Sequence, residues 1–95
     1  MTRTTQEVLA MLQDAASRSE AIYGLEICKT TGLGPGTVYP ILTRLERIGW
    51  VRAYWAEEDA RGPRRRMYEM TSEGLTGLAD ARRARIAGRL GWTSG

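Results

Sequence analysis

Hydrophobic residues near the start of the chain recur every three or four positions, which predicts a helix from about residue 5 to residue 16. Thr4 followed by Glu7 has the spacing of a capping box for this helix. The polar residues 17–20 then predict a connector. A short second helix, ended by Gly32, would follow. Its predicted buried face consists of Ile22, Leu25 and Cys28.

The third predicted helix, from about residue 35 to residue 48, has the clearest pattern in the chain. Its apolar positions are Val38, Ile41, Leu42, Leu45 and Ile48. Gly34 and Pro35 favour a helix start, because the first turn of a helix has no backbone partner for the N–H group that proline lacks. Pro40 removes one backbone hydrogen bond further along, so a loose or slightly kinked first turn is predicted.

Two short extended segments follow, at residues 50–57 and 65–70, and their aromatic, alternating composition is typical of β-strands. A loop that contains Gly62 joins them, so the pair predicts a β-hairpin. Thr71 can cap a last helix from about residue 72 to residue 90. The predicted fold class is therefore mainly α with a small β-hairpin: a winged helix-turn-helix plus a C-terminal helix.

The composition narrows the possible functions. Ninety-five residues, 42% of them hydrophobic and 26% charged, are typical of one soluble domain. The sequence has no histidine and one cysteine, which excludes an intramolecular disulfide and argues against a histidine-based catalytic or zinc site. We predict no enzyme activity, no metal and no cofactor. The absence of a long apolar segment and of a secretory signal predicts a cytoplasmic protein with no membrane contact.

Positive charge is concentrated in the second part of the chain. The net charge is +3, yet residues 1–34 contain three basic and four acidic residues, so the excess of basic residues lies after residue 34. All but one of the 14 basic residues are arginine, whose planar fork suits phosphates and guanine edges.

The face of the third helix opposite its apolar positions offers groups that can bond base edges or phosphates. These candidates are Gly36, Thr37, Tyr39, Pro40, Thr43, Arg44 and Arg47. An alternative is that Arg44 and Arg47 pair with Glu46 or Glu26 on a solvated face.

The hairpin loop supplies a second basic group, formed by Arg61, Arg64, Arg65 and Arg66 beside Gly62 and Pro63. It can reach a neighbouring groove or its phosphates, although a solvated turn is the alternative. A recognition helix and a basic hairpin that follow one another in this order together predict binding to double-stranded DNA.

Three segments resemble the PadR family of bacterial transcription regulators: YGLEI at 23–27, GPGTVYPILTRLE at 34–46 and GPRRRMYEMTSEG at 62–74. The resemblance implies a winged helix repressor, dimeric through its C-terminal helix, that binds a palindromic operator. It implies that Tyr39 lies near a DNA phosphate and that Thr37 begins the recognition helix. Tyr23 and Pro35 lie in the same segments and join the candidate DNA-binding residues.

The chain departs from the family pattern at three places. Gly34 replaces the serine that usually caps the recognition helix, and residues 14–21 form a longer, more polar link than usual. The chain also stops soon after one C-terminal helix, which resembles the short-tailed subgroup of the family.

The far end of the last helix would overhang so small a domain, so a second copy of the chain is expected to cover it. We predict a winged helix domain at 1–70 and a dimerisation helix and tail at 71–95, within one folding unit. The predicted dimer interface consists of Leu75, Leu78, Ala79, Arg82, Ile86, Leu90 and Trp92. Packing of these residues on their own domain is the alternative. A two-fold dimer would place two recognition helices about 34 Å apart and so predicts an inverted-repeat site.

For Trp92, Cys28 and the function as a whole, the sequence allows more than one interpretation. Trp92 can contribute to a pocket for a small hydrophobic effector, as in short-tailed relatives, or can fill the core or lie in a frayed tail. Cys28 is expected to be a small buried hydrophobe and not a redox sensor. The main rival to DNA binding is a winged helix that binds an acidic protein partner.

Overall fold

The computed structural model describes residues 2–56 and 65–89 of the chain. In chain order the elements are α1 (Arg3–Ser17), β1 (Ile22–Tyr23), α2 (Gly24–Thr31), α3 (Pro35–Arg47), β2 (Val51–Trp55), β3 (Arg66–Met70) and α4 (Ser72–Arg89). The strands form one antiparallel sheet in the order β1-β3-β2. This architecture confirms the predicted fold class, a mainly helical winged helix-turn-helix with a small β-hairpin.

The hydrophobic core lies where α1, α2 and α3 meet the sheet. Its largest fully buried side chains are Val8, Leu9, Leu12, Ile27, Val38 and Leu42. The apolar positions predicted for α3 are buried, except Ile48, which is 54% exposed because the helix has already ended there. Pro40 does not interrupt α3, since the carbonyl that loses its partner belongs to the exposed Gly36.

The predicted N-cap residue is confirmed for α4 and is wrong for α1. Thr71 caps α4 as predicted, because its Oγ1 accepts a hydrogen bond from the Gly74 N–H at 3.0 Å. The cap of α1 is Thr2 and not Thr4: the Thr2 Oγ1 accepts from the Thr5 N–H at 3.2 Å, and the helix begins at Arg3.

The face predicted for α2 is wrong at two of its three residues, whereas Cys28 packs against the core, partly buried. Ile22 is not helical: it lies in β1 opposite Tyr68, and this strand was not predicted from the sequence. Leu25 is 55% exposed, whereas Ile27 is fully buried. The predicted period started one element too early, because the chain stays extended up to Tyr23 and helical spacing begins only at Gly24.

The first turns of α4 pack closely on Trp50, the residue just before β2. Gly74 and Gly77 face it without side chains, and Leu78 is 3% exposed in the common core. After Leu78 the described side chains of α4 are mostly exposed. The molecule is correspondingly long, with principal extents of 61 × 25 × 23 Å.

Candidate nucleic-acid interface

The outer face of α3 is open to solvent. Its exposed residues include Pro35, Gly36, Thr37, Pro40, Thr43, Arg44 and Arg47, all of them predicted site residues. Within the described part of the chain, neither Arg44 nor Arg47 forms an ion pair. The alternative in which they pair with Glu46 or Glu26 is therefore wrong for this structure, since Glu46 faces Arg66 instead. Both guanidinium groups remain available to a ligand.

Tyr39 differs from the other candidates on α3 because its ring is half buried against the core. The ring centroid lies 6.5 Å from that of Tyr68, with the two planes tilted by 60°. On its other side the ring touches the start of α2: a Cβ added at Gly24 would lie 2.6 Å from the Tyr39 hydroxyl oxygen and 2.7 Å from Cζ. Glycine at this position thus leaves the space that the tyrosine ring occupies.

The N-termini of α2 and α3 both lack a side-chain cap. The N-cap residue of α2 is Tyr23, whose side chain makes no hydrogen bond to the first turn, and that of α3 is Gly34, which has no side chain. The first backbone N–H groups of a helix have no partner within it, and together with the helix dipole they favour an anion. The Tyr39 hydroxyl lies beside the start of α2, so a hydroxyl that can donate or accept a hydrogen bond meets the first backbone N–H groups of that helix.

Arg65 and Tyr23 are brought together by the sheet. Tyr23 pairs with Met67 in the β1–β3 register, and the Arg65 guanidinium carbon lies 4.7 Å from the centre of the Tyr23 ring. Arg65 is exposed, and its carbonyl accepts the Ala56 N–H at 2.8 Å, which continues the hairpin beyond the strands. The sequence named both residues without linking them, because the strand that joins them, β1, has only two residues.

Arg66 is engaged within the protein. Its guanidinium carbon lies 4.9 Å from the centre of the Trp55 ring, and its Nη2 lies 3.7 Å from Oε2 of Glu46 on α3. Tyr68 lies on the same face of β3, where burial raises the pKa of its phenol and the neighbouring Arg66 partly opposes this shift. The sequence grouped Arg66 with the other loop arginines, but the structure gives it partners that Arg65 lacks.

The remaining predicted site residues divide between exposed, buried and undescribed positions. Arg61, Gly62 and Arg64 lie outside the described residues, as do Leu90 and Trp92 of the predicted dimer interface. Leu75 and Ile86 are 40% and 56% exposed, and Ala79 and Arg82 are also exposed. Leu78 is a correction to the predicted interface: it is 3% exposed in its own core, so it has almost no surface left for a second chain.

A groove of about 390 Å³ separates α1 from α4. Its lining residues are Gln6, Leu9, Ala10, Leu78, Ala81, Arg82 and Arg85. Leu9 of α1 and Leu78 of α4 contribute apolar atoms to the lining, and the two arginines lie on α4. The groove thus runs beside the part of α4 that leaves the domain.

No helix among residues 2–56 and 65–89 is long and apolar enough to span a bilayer. The same residues contain no group of three histidine, cysteine, aspartate or glutamate side chains placed to hold a metal ion.

Three helices, a hairpin packed beside the third helix, and an exposed polar face on that helix define the winged helix-turn-helix class. The sequence profile of the Transcriptional regulator PadR-like family matches residues 8–80, most of the chain. The chain therefore belongs to the PadR-like family of transcriptional regulators. The sequence matches no curated protein.

Solved structures of bacterial proteins resemble the chain over most of its length. A PadR family transcription regulator from hypervirulent Clostridium difficile R20291 is 25% identical, with a TM-score of 0.73 over 94% of each chain. A protein of Streptococcus mutans UA159 is also 25% identical, with a TM-score of 0.68 over 92% of this chain and 82% of that one. A PadR-like transcription factor from Bacteroides fragilis is 29% identical, with a TM-score of 0.58 over 76% of both chains.

Proposed function

We propose that the protein binds specific sequences of double-stranded DNA as a homodimer and acts as a cytoplasmic repressor at an inverted-repeat operator. The observation that supports this most strongly is the division of α3 into two faces. Val38 and Leu42 are fully buried, whereas Thr43, Arg44 and Arg47 are exposed on the opposite side. Among the described residues no carboxylate pairs with either arginine, and Glu46 pairs with Arg66. A helix of this kind can enter the major groove with its donors directed at base edges.

The surroundings of α3 support contacts to the DNA backbone. The Tyr39 hydroxyl lies beside the uncapped start of α2. Arg65 lies over the Tyr23 ring, next to the first residue of β3 in the β2–β3 hairpin, which is the wing of the fold. Free amides, a phenol and a guanidinium are the groups that hold phosphates in protein–DNA complexes. We therefore assign Tyr23, Tyr39 and Arg65 to phosphate contacts and the exposed residues of α3 to base contacts.

The exposed apolar residues of α4 support the dimer. Leu75 and Ile86 are 40% and 56% exposed on a helix that leaves its own domain, and the groove between α1 and α4 runs beside it. Arg82 can lay its aliphatic stem along such a surface while its charge stays in water. A two-fold axis through α4 would repeat α3 about one DNA turn away, which matches an inverted-repeat site.

Fluorescence anisotropy with labelled duplexes tests the proposal. The wild-type protein should bind DNA from upstream of its own coding sequence at least ~10³-fold more tightly than a scrambled duplex, and the affinity should fall steeply with salt. Equal affinity for the two duplexes would reject sequence-specific recognition. No binding to either duplex would favour the rival interpretation, a winged helix that binds an acidic protein partner.

Arg44→Ala is expected to weaken operator binding by about 1–3 kcal/mol and to reduce the preference over scrambled DNA, because the exposed guanidinium is assigned to a base edge. Arg18→Ala is the matched control, since Arg18 is an exposed arginine whose charge is already paired with Asp14 and Glu20. Anisotropy titrations on both duplexes measure the effect. An equal loss on operator and scrambled DNA for Arg44→Ala would assign the residue to phosphate instead.

Gly24→Ala is expected to lower operator affinity about tenfold while the helices remain formed, because the new Cβ would push the Tyr39 ring from its place. Tyr39→Phe provides the comparison: it removes the hydroxyl and keeps the ring. If the hydroxyl bonds a phosphate, the two variants should lose similar affinity and the double variant little more. Unchanged binding by Gly24→Ala would show that the position of Tyr39 does not matter for DNA.

A further inference from the structure

Arg66 sits at the point where the wing leaves the body of the protein. It is the first residue of β3 and pairs with Trp55, the last residue of β2, so the two form the final rung of the sheet. Residues 57–64, which carry Arg61 and Arg64, follow almost directly beyond this rung.

The guanidinium of Arg66 connects this rung to the recognition helix. Side chains alternate along a strand, so Arg66 shares a face with the buried Tyr68, whereas Arg65 has the opposite orientation and lies over Tyr23. On that inner face Arg66 lies over the Trp55 ring at 4.9 Å and 3.7 Å from Glu46. One cation thus links the end of the hairpin to the last turn of α3.

We infer that Glu46, Arg66 and Trp55 form a brace that fixes the angle between the wing and the recognition helix, and that Arg66 is a positioning residue for DNA binding instead of a phosphate contact. The inference rests on the proposed function. It is based on geometry: an isolated exposed ion pair contributes little, but here the same guanidinium also stacks on a ring of the neighbouring strand. A guanidinium held between a ring and a carboxylate has fewer donors and less positive charge to offer a duplex.

Removal of Glu46 should have opposite effects on DNA binding if Arg66 is part of the brace and if Arg66 contacts phosphate directly. Glu46 is an acidic residue on the helix assigned to DNA, so its removal should strengthen binding if Arg66 contacts phosphate, because it would free that cation and remove a repulsive charge. If Glu46 instead orients the wing through Arg66, its removal should weaken operator binding.

A double-variant cycle of Glu46→Gln and Arg66→Gln tests the brace in the full chain. Each single variant should lower operator affinity about five- to tenfold, and the double variant should lose no more than either, because both remove the same link. The slope of log affinity against log salt should stay within ~0.3 of the wild-type slope for Arg66→Gln. Arg65→Gln, the neighbour assigned to phosphate, should instead flatten the slope by ~0.9 and weaken scrambled DNA equally.

Three outcomes would overturn the brace: a slope change of ~0.9 for Arg66→Gln, tighter operator binding by Glu46→Gln, or additive losses in the double variant. Circular dichroism at the assay temperature checks that each variant is folded, so that a loss of binding can be attributed to the orientation of the wing and not to unfolding. The titration of the wild-type protein distinguishes failure of the proposed function from failure of the brace. If the wild-type protein does not prefer the operator over scrambled DNA, the proposed function and the brace are both rejected. If the wild type shows that preference but any of the three outcomes occurs, only the brace is rejected.

Discussion

Gly74→Ala is expected to destabilise the fold by about 3 kcal/mol or more, the largest stability loss among our predictions. A Cβ at this position would lie 2.9 Å from the carbonyl carbon of Trp50 and closer still to its oxygen. The carbonyl cannot easily move, because it accepts the Thr71 N–H at 2.9 Å just before α4 begins. The start of α4 would therefore have to lift away and partly expose Leu78, which is buried in the core.

Urea unfolding followed by circular dichroism measures this loss, at one fixed protein concentration because a dimer is expected. Gly88→Ala is the matched control: it is the same change in the same helix, but no atom lies within 4 Å of the added Cβ. It should gain up to ~1 kcal/mol, since alanine is the better helix former. Stability of Gly74→Ala within ~0.5 kcal/mol of wild type would show that the contact with Trp50 is easily relieved.

Helix α3 was predictable because local and tertiary requirements agree there. Pro35 marks the start of α3, and its apolar positions repeat over three turns, so the residues opposite them had to face outward. Four apolar positions are buried as expected, and the polar face that carries Arg44 is exposed. The exposed face of a long amphipathic helix can be predicted from its own sequence pattern, even when the elements that pack against it are not known.

β1 and the face of α2 were not predictable for the opposite reason. A strand of two residues has no period to detect, and the partner of Ile22 is Tyr68, far along the chain. The consecutive arginines 64–66 likewise look equivalent in the sequence. Strand alternation would have separated Arg65 from Arg66, but the contact between Arg66 and Glu46 depends on how the sheet packs on α3.

Ile86→Glu is expected to convert the proposed dimer to monomers and to lower affinity for an inverted-repeat operator by at least ~100-fold. The proposed interface would have to bury a carboxylate where Ile86 packs, and removing that charge from water is unfavourable even beside Arg82. Two linked recognition helices gain about 10²–10⁴-fold over one helix by avidity, and monomers lose that gain. The fold of each protomer should survive, because Ile86 is 56% exposed in a part of α4 that extends from the domain.

Light scattering after size exclusion gives the oligomeric state, and anisotropy with full and half-operator duplexes gives the affinities. Ala84→Glu introduces the same side chain at an exposed position roughly on the opposite side of α4, so it should leave both properties unchanged. Half-operator affinity should be similar for the wild type and Ile86→Glu, since a half site engages one recognition helix. A dimeric Ile86→Glu variant with wild-type operator affinity would move the interface away from this face of α4.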